Sequence, residues 1–198
     1  MQIWLKAMSI SLLLVLGACQ NMYPQPQGLV PVVWSADPAL AHYQRQDQVE
    51  VVWKNQSFSF LLYQEQQAKN LQMFALSLTG QQLFRLDFDG QKVQVHERIK
   101  PMRLLPFDFV VRDILFATYP DFAKNHLENV KVKQYVDQTE IEIDQKNVLT
   151  IKTRADHIEL DNLQVPYQMI FSPVENTLKD NSLEQSEVED QQKNDKKD

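Results

Sequence analysis

The spacing of apolar residues predicts a mainly β (α+β) domain over residues 47–173, built as a curved antiparallel sheet or incomplete β-barrel of about nine or ten strands with a helix covering the concave side. Three observations predict it. Short runs of period two, which put alternate side chains on one face of a strand, recur between Gln48 and Phe171 with turn-forming residues between them. One stretch, Asp108 to Thr118, has instead a helical spacing with a wide apolar face. A lone helix set against so many strands buries that face best when the sheet bends around it.

In the first half of the domain, Val49, Val51 and Trp53 share one face of a strand, Lys54-Asn55-Gln56 makes a turn, and Phe58, Phe60 and Leu62 share one face of the next strand. Glu65 to Asn70 is polar and turn-like. Leu71 to Leu78 is apolar on both sides, with Leu71, Met73 and Ala75 on one face and Phe74, Leu76 and Leu78 on the other. Such a strand is sandwiched in a core or walls a hollow. Thr79-Gly80 turns the chain, after which Phe84, Leu86 and Phe88 alternate with Arg85 and Asp87. Asp89-Gly90 is a hairpin signal whose two positions favour positive φ, and Val93 and Val95 carry the meander to about Arg98.

Pro101 and Pro106 fence a break. Asp108 is placed to cap a helix with Phe109, Val110, Ile114 and Ala117 on one stripe and Val111 and Leu115 beside it. Pro120 stops it, and Asp121 to Leu127 fits a further short helical turn. Val130–Val136, Thr139–Ile143, Val148–Thr153, His157–Leu160 and Val165–Phe171 read as five more strands, and Ile141 and Ile143 alternate with acids that keep one face wet.

Both flanks of this domain have a different character. Met1 to Lys6 is weakly basic and Ala7 to Leu16 is an apolar core of a length expected for a secretory signal, too short to cross a bilayer. Leu16-Gly17-Ala18-Cys19 looks like the lipobox of bacterial lipoproteins. That resemblance implies a signal peptide over 1–18, removed before Cys19, and a sole cysteine acylated with chains such as palmitate, which anchor the mature protein in a membrane. By the sorting rule for such lipoproteins, Gln20 where Asp would signal inner-membrane retention implies the outer membrane, facing the periplasm. The rest of 19–46 holds Pro24, Pro26, Pro31 and Pro38 and is expected to be an extended tether, with Leu29 to Trp34 able to pack on the body. Residues 174–198 carry eight acids and four lysines and too few apolar residues to offset ordering entropy, so a disordered acidic tail is expected.

The net charge of −6, of which that tail supplies −4, excludes a basic nucleic-acid surface. With Cys19 committed to acylation, neither a disulfide nor a cysteine metal site is available. His42, His96, His126 and His157 lie in separate segments without paired ligand spacing, and no Gly-x-Ser-x-Gly elbow or phosphate-cradling glycine loop occurs. Asp87 and Asp89 share a strand face as paired carboxylates could, but Asp89 is the natural first residue of a turn and Asp87 a solvent-facing alternate. No catalytic residue, metal or cofactor is therefore expected.

Three stretches carry a resemblance: Gly80 to Gly90; Arg112-Asp113-Ile114-Leu115 with Ala117, Tyr119 and Pro120; and Leu160-Asp161-Asn162-Leu163 followed by Tyr167. In this order, behind a lipobox, they resemble an uncharacterised family of bacterial lipoproteins often encoded beside aryl-polyene or fatty-acid-like biosynthesis genes and similar to the outer-membrane lipoprotein receptor LolB. A LolA/LolB-like fold, with a cavity for acyl chains, is what that resemblance implies. The loop that presents a membrane-inserting leucine in LolB matches Leu78-Thr79-Gly80, where the glycine is kept and the proline is not, so Leu78 either protrudes or ends its strand.

The expected function is an outer-membrane-anchored, non-enzymatic lipoprotein, a monomer, that binds acyl chains or lipid and aids transport of a lipid-like product or lipoprotein. Phe58, Phe60, Met73, Phe74, Leu76, Phe84, Phe88, Phe109, Ile114 and Leu115 are the candidate cavity lining. Arg112 and Asp113 put charge into the apolar helix, either to pin helix to sheet or to meet an anionic headgroup. The alternative function is an interaction module that docks a protein of an envelope assembly complex.

Overall fold

The computed structural model describes residues 42–122 and 129–174. The signal peptide, Cys19, the tether up to residue 41, His126 and residues 175–198 lie outside these. Ten antiparallel strands form one open sheet: β1 (Gln44–Trp53), β2 (Gln56–Gln67), β3 (Asn70–Ser77), β4 (Gln82–Phe88), β5 (Val93–Arg98), β6 (Val130–Gln134), β7 (Gln138–Ile143), β8 (Lys146–Thr153), β9 (Ile158–Asn162) and β10 (Tyr167–Pro173). A 3₁₀ segment, Lys100–Leu104, leads into α1 (Phe107–Thr118), the single α-helix among the described residues.

The strand order β5-β4-β3-β2-β1-β10-β9-β8-β7-β6 is two five-stranded meanders joined along the middle. The seam is the β1–β10 ladder, with Val49 opposite Phe171 and Val51 opposite Met169. β5 and β6 are the two outer edges and do not pair, so the expected curved sheet or incomplete β-barrel is corrected to an open, uncurled sheet. The physical reason is that α1 lies on one face of the sheet, touching β5 and β9, and buries its apolar side there without β5 having to meet β6.

The face under α1 holds the core. Val49, Leu62, Leu71, Met73, Ala75, Leu86, Phe88, Leu149, Leu160 and Phe171 are fully buried there, meeting Phe107, Val111, Ile114 and Leu115 of the helix. Strand alternation puts them there, and β7 shows it plainly, with Ile141 and Ile143 inside and Glu140 and Glu142 half-buried on the other face.

The ends of the sheet differ in what they carry. The chain enters at Tyr43 and leaves at Val174, whose amide donates to the Gln46 carbonyl at 3.0 Å, and α1 also ends here. At the opposite, distal end lie the β1–β2, β3–β4, β7–β8 and β9–β10 turns and the link from β5 into α1.

Three local expectations are corrected. Glu65 to Gln67 continue β2 instead of turning, because Gln64 and Gln66 face inward and are buried. Asp89-Gly90 is not a two-residue turn: only Gly90 of the pair has positive φ, and Asp89 Oδ1 accepts from the amides of Gln91 and Lys92 in a longer loop. Asp108 does not cap α1; Pro106 is the N-cap, without a side-chain bond, and Asp108 lies in the first turn, where its charge favours the helix dipole.

Candidate functional site

The helix motif Arg112-Asp113 and the strand motif that ends at Asn162 meet at the centre of the molecule. A polar pair in an apolar helix has to find partners or destabilise the fold, and both side chains here have no solvent exposure. Arg112 Nε and Nη2 reach Asp113 Oδ1 at 2.7 and 2.6 Å. The other carboxylate oxygen, Oδ2, accepts from Asn162 Nδ2 at 2.6 Å and from the Tyr167 hydroxyl. The Asp113 carboxylate thus joins α1 to β9 and β10 in one step.

Asn162 is held for this task by its own backbone environment. Its Oδ1 accepts from the amides of Gln164 and Val165 at 2.9 Å, closing the β9–β10 turn and leaving Nδ2 aimed at the helix. The Arg112 guanidinium also lies 5.4 Å over the Phe109 ring, which covers it from outside. Burial pushes the Asp113 carboxyl up, against the opposing pull of Arg112, Tyr167 and Asn162. Burial and the Asp113 charge push the Tyr167 phenol up, so its hydroxyl stays a donor.

A second polar fastening lies one and a half turns further along α1. Thr118 Oγ1 accepts from Gln64 Nε2 at 3.1 Å and donates to the Ile114 carbonyl at 2.8 Å. The Tyr43 hydroxyl donates to the Thr118 carbonyl at 3.2 Å, satisfying a backbone group that the end of a helix leaves open. Beside it on β1, Arg45 grips the fully buried Asp47 through two bonds of 2.7 Å.

The ten residues proposed from the sequence as a cavity lining divide. Phe60, Met73, Phe84, Phe88, Ile114 and Leu115 lie together in the core. Phe84 packs edge-on against Phe107 at 5.2 Å and against Phe60 at 6.3 Å. Phe58 follows on the same face but at the distal end, partly in solvent. Phe74 and Leu76 are on the outer face, where Phe74 stacks on Tyr63 at 4.4 Å, and Phe109 is half-buried beside Arg112. Leu78 protrudes from the β3–β4 turn, and Gly80 two residues later has φ +84°. A groove of about 700 Å³ lies elsewhere, against β4 and β5, lined by Gln82, Leu83, His96, Glu97, Arg98 and Arg103 among others.

Asp87 and Asp89 are not brought together as a working pair: Asp87 bonds His96 at 2.9 Å, and Asp89 is spent on its turn amides, which hold its carboxyl below the usual range. Among the described residues no three His, Cys, Asp or Glu side chains cluster as metal ligands do. Reading single elements missed Asn162, Tyr167, Gln64 and Tyr43 as partners of the helix, the last two through Thr118. Asn162 and Tyr167 stand in the sequence motifs noted above, whereas nothing in the sequence marks Gln64 or Tyr43. Among curated proteins none matches this chain. The family model described as protein of unknown function (DUF3261) matches residues 44–175, which take in all ten strands and the helix, and the chain belongs to that family.

Proposed function

We propose that this protein is a non-enzymatic lipoprotein, anchored through Cys19 in the outer membrane and facing the periplasm, that takes an acyl chain or lipid against the inner face of its sheet and helps place a lipid-like product or lipoprotein. In this reading the open sheet is akin to those of LolA and LolB, and α1 is its cover. The observation that supports it is the form of the cover: an apolar sheet face of ten strands is closed by one helix, fastened at the polar points Asp113–Asn162–Tyr167 and Thr118–Gln64–Tyr43. Apolar contacts between these points are non-directional and can be exchanged for a hydrocarbon chain without leaving polar groups unpaired.

Ile114, Leu115 and Phe107 occupy the inner face as described, so uptake requires α1 to lift. The test is native mass spectrometry of the full chain after incubation with a palmitoyl lipid, alongside Thr118→Val, which weakens one fastening. Retained lipid, increased in Thr118→Val, is expected; no retention by either protein refutes the reading.

The packed interior favours a second reading, an interaction module docking an envelope protein. Crosslinks from the body to one envelope protein, together with no retained lipid, support that reading instead.

A further inference from the structure

Large apolar side chains gather at the distal end of the sheet, supplied by segments far apart in sequence. Leu104, in the link from β5 to α1, is 94% exposed; Leu78, in the β3–β4 turn, is 59% exposed; Leu163, in the β9–β10 turn, is 55% exposed. Trp53, at the end of β1, is 46% exposed, and Phe58 on β2 and Leu105 beside Leu104 are also exposed. Single exposed leucines are ordinary, but apolar residues converging on one end from four separate segments are not.

The same end carries the small excess of positive charge. Its described turns and link, with the first turn of α1, contain Lys54, Lys100 and Arg103 against Asp108 and Asp144. The turns at the proximal end, with the residues just after α1, contain Asp89, Asp121, Asp137 and Asp156 against Lys69, Lys92 and Arg154. Lys54 Nζ lies 5.3 Å over the Trp53 ring, a pairing of cation and amphipathic aromatic suited to the depth of lipid headgroups. Exposed apolar residues with cations at the same end complement an anionic bilayer surface, where acyl-chain burial and headgroup attraction add.

We infer that the distal end is a membrane-docking rim, with Trp53, Leu78, Leu104 and Leu163 entering the interface of an anionic phospholipid bilayer and Lys54, Lys100 and Arg103 meeting its phosphates. This contact does not depend on whether the inner face takes a lipid. It is also within reach of an anchor at Cys19: the chain from there to His42 extends at most about 75 Å, at about 3.3 Å per residue, against about 40 Å for the twelve residues of β2.

The test uses the full chain in vesicles of phosphatidylethanolamine and phosphatidylglycerol with brominated acyl chains, which quench only tryptophans at membrane depth. Trp4→Phe with Trp34→Phe leaves Trp53 as reporter. A companion carrying also Trp53→Phe and Val136→Trp moves the reporter to the exposed β6–β7 turn at the proximal end. The rim predicts quenching several-fold stronger at position 53 than at 136, and its loss on Leu78→Asp with Leu104→Asp while circular dichroism is unchanged. Equal quenching at the two ends, stronger quenching at 136, or quenching at 53 that survives the paired Asp substitutions overturns the inference. So does an unquenched Trp53 at a rim that crosslinks to a protein instead.

Discussion

Replacing Asp113 by alanine removes the one carboxylate that α1, β9 and β10 share. Arg112 then stays fully buried without that counter-charge, and a guanidinium cannot lose its proton. Breaking a buried ion pair from one side costs about 3–5 kcal/mol, and Asn162 Nδ2 and the Tyr167 hydroxyl lose their acceptor at about 1–3 kcal/mol each. Asn162 Nδ2 already lies 3.3 Å from the Tyr167 oxygen and can turn to it, which keeps that second loss near its lower bound. At least about 5 kcal/mol in all is a third or more of the stability of an ordinary domain and corresponds to roughly 15 °C or more in Tm. Arg112→Leu should cost less. Asp113, whose carboxyl burial already pushes up, can take a proton once the guanidinium is gone. A raised carboxyl pKa means the folded state holds its proton more tightly than the unfolded chain does, so the deficit of Arg112→Leu shrinks as pH falls. Combining Arg112→Leu with Asp113→Ala removes charge and counter-charge together and should recover most of the ionic part of the loss. Urea unfolding of the wild type, both single variants and the double variant, followed by circular dichroism at neutral and mildly acid pH, measures this cycle. A loss under about 1 kcal/mol for Asp113→Ala, or a double variant that simply sums the singles, refutes the pin.

Other substitutions probe the remaining supports. Tyr43→Phe removes the hydroxyl that satisfies the Thr118 carbonyl and should cost about 1–2 kcal/mol in urea unfolding. Leu62→Ala, at a fully buried site between β1 and β3, should cost about 2–5 kcal/mol by the same measurement, the spread set by how far the site collapses. Gly80→Ala has open space around the new methyl group but a backbone at φ +84°, so a cost of about 1 kcal/mol is expected from conformation alone, read as a lower Tm. His157 bonds Asp156 at 2.7 Å and Glu159 at 3.1 Å, which raises the imidazole and lowers both acids. The raised histidine stabilises below its ordinary pKa of about 6.5 and stops as pH rises through its folded value; the lowered acids stabilise above about 4 and stop as pH falls. The stability difference between wild type and His157→Gln should therefore be largest at about pH 4–6.5 and shrink on both sides, as a urea-midpoint series will show.

How much of this was legible in the sequence depends on the range of each interaction. Strand and helix positions came through because burial alternates at the pitch of each element: Ile141 with Ile143, Phe84 with Leu86 and Phe88. Turn details came through less well, since Asp89 had the choice between a positive φ and a side-chain cap on Gln91 and Lys92, and took the cap. Gln66 reads as a turn residue and Gln64 carries no mark, because their partners, the Ala68 carbonyl and Thr118, are visible only once the chain is folded. The charged pair in α1 stands out in the sequence and pinning is one of its two readings, but the pin needs Asn162 and Tyr167, some fifty residues away. The two faces of β3 were readable as apolar without showing that Phe74 and Leu76 pack outward against neighbours such as Tyr63. Closure of the sheet depends on whether β5 meets β6, and no local pattern encodes that.

The seam between the two meanders has a mechanical consequence. β1 begins and β10 finishes at the same end and on neighbouring positions, with Asp47 opposite Pro173. A force pulling the two flanking segments apart would open this ladder one hydrogen bond at a time, like a zipper, instead of loading all its rungs in shear. Tension from outside the domain would thus be felt first at the Val174–Gln46 bond, and the middle of the sheet, not either bare edge, is where the fold would yield.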